Sequence, residues 1–382
     1  MKTVAKPIVL SDPPRICLVR LSALGDVIHT LPLLSQLRDA LPDAHLGWIV
    51  EPAAAPLVNN HPLLDAVHVA DRKRWLAALY NPLTWAGAWA SLARFRAEVA
   101  QQRYDVVVDV QGLAKSGLVS WLSGVPQRMG FSPCREEAHR WYTHPVARPW
   151  PEFDPDHHVS HSYGMLAQNL TGMLTHPSTD MPHPLLPPVP EAAVQAAQAM
   201  LAPLGDRPIV VLAPATRWQS KHWPVKHWQK LVDGLMQEST VAVVGVGGHG
   251  DSGLVADVVA PATAQQRSMN LAGQTDLTTL QAVVKHAAVV VAPDSMTAHL
   301  AGALNHPAVL ALFGPTSTIR TAPLGSHVST LACDTPLDCQ PCHSRTCHLP
   351  RQTCMEDLRP EAVLSRILES MNARNAGLIS AR

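Results

Sequence analysis

The sequence lacks a charge imbalance, a membrane-length apolar run and an export signal. Its 382 residues include 30 Lys and Arg against 30 Asp and Glu, so no global positive field attracts nucleic acid, and an anionic partner must be held by local clusters. No stretch reaches the roughly 18–20 apolar residues of a membrane span. The opening residues, MKTVAKPIVLSDPPR, have no signal-peptide core. We therefore expect a cytosolic protein that binds no nucleic acid.

Internal repeats of 20–50 residues are also absent, but strand-like and helix-like runs alternate along the whole chain. A chain of 382 residues is too long for one core, which rarely exceeds about 250–300 residues. The alternation predicts two α/β, doubly wound parallel sheets with ligand sites at the carboxyl ends of their strands. The predicted strands lie in 15-RICLV-19, 45–50 and 105–110, and then in 208–213, 240–246, 287–292 and 308–313.

Proline is concentrated between the two sets of strands. Residues 174–192, LTHPSTDMPHPLLPPVPEA, contain six prolines, which exclude a core helix or strand. We predict an N-terminal domain over 1–175, a linker over 176–192, a C-terminal domain over 193–358 and a C-terminal helix over 359–382. Two such domains predict a ligand-binding cleft between them.

The turn 20-RLSALGDVIHTLP-32 places Asp26 behind a glycine, directly after the first strand. Pro32 disfavours a continuous helix from residue 26, so we expect the helix to begin near Thr30 and Asp26 to stand in a turn. Two interpretations stay open: Asp26 caps a helix, or it faces a cleft and accepts a proton.

Basic residues occur in loops of the same half, at Arg72, Arg74, Lys115 and Arg135. They predict a clamp for an anionic acceptor, with a solvated surface of scattered charges as the alternative.

In the second half, 287-AAVVVAPDSMTAHLAGAL-304 predicts a strand that ends at Pro293, a cap at Asp294 and a helix from Ser295. Amides of residues 295–297 at that helix N-terminus favour a phosphate. An ordinary helix cap with an incidental His299 is the alternative.

A second turn, 211-VLAPATRWQSKHWP-224, carries Thr216 and Lys221. If it faces the same site, both would meet the phosphates held by Ser295, and a cation there would stabilise a departing diphosphate. The second half has no Asp-x-Asp pair to bring Mg²⁺, so protein groups would carry the charge. The glycine-rich 245-GVGGHG-250 is not followed by the acidic residue that a dinucleotide site requires, and it favours a plain turn.

Five motifs in order carry a resemblance to a known family: RLSALGDVIHTLP, VDVQGLAKSGLVSWLSG, GFSPCREEAHRWYTHPV, PATRWQSKHWP and PDSMTAHLAGALNHPAVLALFGPT. Over residues 15–330 the chain resembles glycosyltransferase family 9, and within it the ADP-heptose:lipopolysaccharide heptosyltransferases, most of all those that add the first heptose to Kdo.

The resemblance implies a GT-B fold, in which two Rossmann-like domains face a central cleft, and an inverting transfer of heptose from ADP-heptose to a Kdo-bearing lipopolysaccharide core precursor. It implies Asp26 as general base and Lys221 as the phosphate-contacting lysine, with the acceptor on the N-terminal domain and no cofactor for catalysis. A lipid acceptor would bring the enzyme to the inner membrane periphery. The implied donor-binding residues are Thr216, Lys221, Asp294, Ser295, Met296, Thr297 and His299.

Two other functions stay open. The same chemistry could act on another acceptor, either a different core sugar or an autotransporter protein. A non-catalytic GT-B relative that only binds a nucleotide sugar is the second alternative, but it need not retain both Asp26 and Lys221.

Four of the seven cysteines are clustered, at Cys339, Cys342, Cys347 and Cys354. Their spacing predicts a structural zinc or iron site, with free or redox-paired thiols as the alternative. The resemblance adds that the autotransporter branch of the family carries an iron bound by four cysteines.

Overall fold

The computed structural model describes residues 7–78, 80–148, 150–172, 185–335 and 337–375. The chain divides into two compact units, Met1–Pro188 and Val189–Arg382. Most of the predicted linker, 176–184, lies outside the described residues, as does the end of the chain, 376–382. Residues 185–190 contain no helix or strand and lead directly into the first helix of the second unit.

The first unit is a doubly wound α/β sheet whose six strands are all parallel. The strand order is β3-β2-β1-β4-β5-β6, so the direction of winding reverses between β1 and β4. In sheets of this kind, ligands bind at the carboxyl ends of the two strands that flank this switch point. The elements are β1 (Arg15–Val19), α1 (Leu24–Ala40), β2 (His45–Val50), β3 (Ala66–Val69), α2 (Arg72–Ala77), α3 (Trp85–Gln101), β4 (Val106–Asp109), α4 (Ala114–Leu122), β5 (Gln127–Ser132), β6 (His144–Ala147) and α5 (Val159–Thr171).

The second unit repeats this topology. Its sheet order is β12-β11-β10-β7-β8-β9, again all parallel, and the switch point lies between β7 and β10. The predicted α/β, doubly wound fold class is confirmed for both units. The elements are α6 (Glu191–Leu201), β7 (Ile209–Leu212), α7 (Val225–Glu238), β8 (Ala242–Gly245), α8 (Ser252–Thr263), β9 (Ser268–Asn270), α9 (Leu277–His286), β10 (Val289–Pro293), α10 (Met296–Ala303), β11 (Val309–Leu312), β12 (Val328–Leu331), α11 (Thr353–Glu356) and α12 (Pro360–Asn375).

All seven predicted strands are present, and they occupy central positions in the two sheets. Central strands of a parallel sheet are covered by helices on both faces, which is why they are continuous apolar runs. The five strands that the sequence did not reveal are the four sheet edges, β3, β6, β9 and β12, together with β5. Their residues are mostly only part-buried, so short mixed sequences such as SMN and QRMGFS suffice there.

The predicted start of the first helix was wrong. Helix α1 begins at Leu24 and includes Pro32, so Asp26 lies in its first turn. A proline inside a helix costs about 3 kcal/mol. Here all eight residues of 27–34 are buried and α1 packs against α5, so the burial of this segment outweighs that cost.

A close backbone approach fixes the end of β4. The Tyr142 hydroxyl donates to Asp109 Oδ2 over 2.7 Å, and the Tyr142 ring crosses Gly130 on the neighbouring strand. A Cβ at Gly130 would lie 2.4 Å from a ring carbon. Position 130 therefore requires glycine, because the Tyr142 ring leaves no room for a Cβ atom.

We expect Gly130→Ala to lower the free energy of unfolding by about 1–3 kcal/mol, because the added methyl group displaces a pinned tyrosine. Urea denaturation followed by tryptophan fluorescence measures this. Gly253→Ala is the matched control, since a Cβ there would meet nothing within 4 Å. Within helix α8 it should raise stability by about 0.5–1 kcal/mol. Equal effects of the two substitutions would contradict the packing argument.

Candidate active site

The switch point of the first unit carries a buried arginine paired with a half-exposed aspartate. Arg20 directly follows β1, and its Nη2 lies 3.0 Å from Asp26 Oδ2, with side-chain exposures of 7% and 47%. Arg20 Nη1 also donates to the carbonyl of Val110, which follows β4, and the guanidinium lies over the Tyr163 ring at 5.4 Å. The pair thus connects the two strands that flank the switch point.

Burial opposes the charge on Arg20, but the neighbouring Tyr163 and Asp26 more than offset it, and the net effect is a raised pKa. The guanidinium is therefore a fixed positive charge behind Asp26. The Asp26 carboxylate also accepts the Ala23 amide over 3.2 Å at the start of α1. The two interpretations of Asp26 are compatible, because it serves the helix N-terminus and still exposes nearly half of its side chain.

Lys115 lies at the same loop, and its Nζ donates to Ser22 Oγ over 2.5 Å. Two other predicted acceptor-binding cations have carboxylate partners elsewhere in this unit. Arg72 pairs with Glu51 at 3.1 Å, and Arg135 pairs with Glu152 at 2.8 Å. The exposed Arg74 lies in the first turn of α2, where its guanidinium approaches Gly87. Of the four predicted cations, Lys115 alone contacts the Asp26 loop within the part of the chain that the structure describes.

Asp109, at the end of β4, is buried and holds the turn that follows. Its Oδ1 accepts the amides of Gln111 and Gly112, and Oδ2 accepts the Tyr142 hydroxyl. Burial disfavours the charged carboxylate and raises the pKa of Asp109, and this effect outweighs the hydrogen bonds from Tyr142 and Gly112, which lower it.

The switch point of the second unit is built around Asp294, which follows β10 and is 4% exposed. Lys221 Nζ donates to its Oδ2 over 2.7 Å and to its backbone carbonyl over 3.1 Å. His299 Nε2 lies 3.1 Å from Oδ1, and the Thr316 hydroxyl donates to Oδ2 over 2.7 Å. The structure therefore brings together three predicted donor-site residues, Lys221, Asp294 and His299.

Asp294 is not the helix cap that the sequence predicted. Ser295 occupies the N-cap position, and α10 begins at Met296. The carboxylate of Asp294 is instead committed to Lys221 and His299. Burial alone would raise the pKa of Asp294, but the His299 hydrogen bond and the Lys221 charge outweigh it and hold that pKa well below its usual range.

The N-terminus of α10 offers polar groups of its own. The Ser295 hydroxyl is buried and has no hydrogen-bond partner among the described residues. Thr297 is buried and Met296 half-buried in the same first turn. Thr216 donates its hydroxyl to the carbonyl of Trp218 over 2.7 Å, which braces the loop that carries Lys221. A helix N-terminus, an unpartnered hydroxyl and an ammonium group suit an anion such as a diphosphate.

Three residues of these sites escaped the sequence analysis: Arg20, Thr316 and Thr321, whose hydroxyl reaches Asp294 Oδ2 over 3.3 Å. Arg20 could have been found from the sequence, because it is a charged residue placed immediately after the apolar run of β1. For the threonines it was the hydroxyl-rich run 314-GPTSTIRT-321 after β11, the strand beside β10.

The cysteine cluster lines one small cavity with Cys339, Cys342, Cys347 and Cys354. Burial, with a smaller contribution from the neighbouring thiols, raises the pKa of Cys354 to about 12. Thiolate donors suit zinc or iron. However, in the part of the chain that the structure describes, no group of three or more His, Cys, Asp or Glu side chains is arranged to hold a metal ion. The four-cysteine metal site therefore stays a prediction from spacing.

A family model, a sequence relative and two solved structures all relate this chain to heptosyltransferases. A family model described as glycosyltransferase family 9 (heptosyltransferase) matches residues 92–352. Lipopolysaccharide heptosyltransferase 1 of Pseudomonas aeruginosa is 31% identical over 341 residues, 87% of each chain. The structure of Escherichia coli ADP-heptose lipopolysaccharide heptosyltransferase II superposes with a TM-score of 0.73 at 20% identity, covering 94% of this chain and 99% of that one. Escherichia coli heptosyltransferase WaaC with ADP-2-deoxy-2-fluoro heptose gives 0.65 at 24% identity, covering 93% and 99%.

We expect Asp294→Ala to lower the free energy of unfolding at pH 7 by about 3–5 kcal/mol, because it leaves Lys221 part-buried without its carboxylate. Urea denaturation measures the loss. Asp276→Ala is the control: it removes only the cap of α9, where Asp276 Oδ1 accepts the Thr279 amide, and should cost about 1 kcal/mol.

The pH dependence follows from the depressed pKa of Asp294 in the folded state. Such a group stabilises the fold fully above its unfolded pKa, about 4, and that stabilisation is lost as the pH falls towards the folded value. The stability difference between wild type and Asp294→Ala should therefore shrink below about pH 4. A difference that stays constant there would argue against an ionised Asp294.

Proposed function

This chain belongs to glycosyltransferase family 9, and we propose that it is an inverting enzyme that transfers a heptose from ADP-heptose to a Kdo-bearing inner-core lipopolysaccharide acceptor. The observation that carries the proposal is the alignment with the Pseudomonas aeruginosa lipopolysaccharide heptosyltransferase 1 over 87% of both chains. The ADP-2-deoxy-2-fluoro heptose in the Escherichia coli relative supports ADP-heptose as the donor.

Asp26 is the general base of this proposal. Its carboxylate takes the proton of the acceptor hydroxyl while that oxygen attacks the anomeric carbon of the heptose. The bond from that carbon to the diphosphate breaks on the opposite face, which inverts the configuration. Arg20 supports this role as a positioning residue, since its buried guanidinium holds one carboxylate oxygen at 3.0 Å while the side chain stays half-exposed.

The diphosphate leaves with the bonding electron pair, and Lys221 and the N-terminus of α10 stabilise the charge that builds on it. The short contact between Lys221 and Asp294 supports this assignment, because it fixes the ammonium group beside the first turn of α10. Ser295, Met296 and Thr297 would supply amides and hydroxyls to the phosphates. With these groups in place, the reaction needs no metal ion.

The first unit would bind the acceptor and the second the nucleotide sugar. Lys115 is the acceptor-binding cation with the best structural support, because it lies at the Asp26 loop. Arg72, Arg74 and Arg135 would then meet more distant anionic groups of the core precursor. Such an enzyme would work in the cytoplasm, at the inner face of the membrane that carries Kdo-lipid A.

We expect Asp26→Asn to fold normally and to lose at least about 100-fold in kcat, because an amide cannot accept the proton. The assay incubates ADP-heptose with Kdo-lipid A and follows the gain of one heptose by mass spectrometry. Asp39→Asn is the matched control, an exposed carboxylate on the same helix, and should keep full turnover.

Wild-type turnover in a folded Asp26→Asn protein would remove Asp26 from the mechanism. If the wild-type enzyme adds heptose to a different core sugar or to a protein hydroxyl but not to Kdo-lipid A, the proposed acceptor is wrong and the proposed chemistry stands.

A further inference from the structure

An uncharged segment with basic ends separates β3 from β4. Residues 75–93, WLAALYNPLTWAGAWASLA, contain no charged side chain. Lys73 and Arg74 precede the segment, and Arg94 and Arg96 follow it. No acidic residue lies anywhere in 72–97. The segment folds into α2, a short connection and the first half of α3.

The outer surface of this hairpin is apolar and exposed. We call its five large side chains the aromatic patch. Monomeric proteins rarely leave such a cluster in water unless it binds something. The patch consists of Leu76 (38% exposed), Tyr80 (89%), Leu83 (93%), Trp85 (53%) and Trp89 (68%).

The aromatic patch is not needed by the core. The inner face of the hairpin is built from other residues: the rings of Trp75 and Phe95 lie 5.2 Å apart, and Ala88 and Val99 are buried beneath them. Trp75 Nε1 also donates to Ser91 Oγ. On the outer face, the Trp85 indole N–H donates to the Ala78 carbonyl over 2.6 Å and helps to fix the end of α2. Folding therefore explains the inner face and this one hydrogen bond, but not the exposed apolar surface of the patch.

The charges lie where they complement an anionic surface. Trp85, Trp89 and Arg96 are four and then seven residues apart, which puts them on one stripe of α3. Lys73 and Arg74 are exposed at the start of α2. Arg94 and Arg96 are exposed as well. The aromatic patch thus has cations at both ends and no carboxylate in its segment.

We propose that the aromatic patch and the flanking cations dock this enzyme on an anionic lipid bilayer. Tryptophan and tyrosine prefer the membrane interface, and lysine and arginine beside them are attracted to acidic headgroups. None of the described helices is long and apolar enough to cross a membrane, so contact through this surface would be interfacial. A protein partner would be favoured by paired charges of both signs, and the segment has only one sign.

This inference deepens the proposed function, since an acceptor anchored in lipid lies at a bilayer surface. The docking itself needs neither donor nor acceptor. It can therefore be tested without them, and its failure is distinguishable from failure of the transfer reaction.

The test is co-sedimentation of the purified full-length protein with vesicles of phosphatidylcholine containing 30% phosphatidylglycerol, at about 0.1 M salt. Wild type should bind these vesicles and should bind pure phosphatidylcholine vesicles at least about tenfold more weakly. The double variant Trp85→Ala/Trp89→Ala should lose at least about tenfold in vesicle affinity. Arg96→Glu should lose affinity for anionic vesicles only.

Trp121→Ala is the matched control, because Trp121 is also an exposed tryptophan of the first unit, 49% exposed, but lies on α4. It should bind vesicles like wild type. All variants should keep wild-type turnover on a delipidated, water-soluble Kdo acceptor, which shows that they fold and catalyse.

Equal vesicle binding by wild type and the double variant would overturn the proposal, and so would equal losses for the double variant and Trp121→Ala. A wild-type protein that binds no vesicles and forms dimers by light scattering, with Trp85→Ala/Trp89→Ala monomeric, would assign the aromatic patch to a second copy of the chain instead.

Discussion

A buried aspartate at the carboxyl end of the fourth strand organises each of the two sheets. In the first unit Asp109 ends β4, and in the second Asp294 follows β10, the topologically equivalent strand. Both side chains are almost fully buried, at 1% and 4% exposure. Their hydrogen-bond partners differ: Asp109 accepts from neutral donors and has a raised pKa, whereas Asp294 is held by Lys221 and His299 and has a lowered pKa. One fold position therefore serves as a turn anchor in one unit and as the negative centre of a charged site in the other.

The two units therefore differ in which member of their ion pair is buried. A buried carboxylate must be paired to stay ionised, so Asp294 requires its cation, and the cation in turn acquires a fixed position. The catalytic candidate of the first unit has the reverse arrangement. There the cation, Arg20, is buried and the carboxylate of Asp26 reaches the surface. In the proposed mechanism, Asp26 must be exposed because a general base contacts the acceptor hydroxyl. Lys221 must instead be fixed in position, because it stabilises charge on the leaving diphosphate.

The central strands could be predicted from the sequence, and so could the positions of the candidate site residues just after them, because both depend on local patterns. Buried parallel strands are continuous apolar runs, and the chemistry of such sheets lies just after them. The prediction failed where distant packing decides. Pro32 indicated a helix start near Thr30, but burial of residues 27–34 against α5 keeps the helix intact from Leu24. The Lys221–Asp294 contact joins residues 73 positions apart, so no local pattern indicated that Asp294 serves Lys221 and not the helix cap.

The loop that carries the four clustered cysteines, residues 339–354, is hydrogen-bonded to the turn that contains Lys221. Ser220, one residue before it, donates its amide to the carbonyl of Arg345 and its hydroxyl to that of Ser344, while Gln352 donates to the Ser220 carbonyl. The cavity that the four cysteines line also includes Ser220. Ser220 is therefore a common neighbour of the thiols and of Lys221. If Lys221 acts on the leaving diphosphate as proposed, a sulfhydryl reagent bound to these cysteines would lower activity without occupying the donor site, because it would displace the turn that positions the ammonium group.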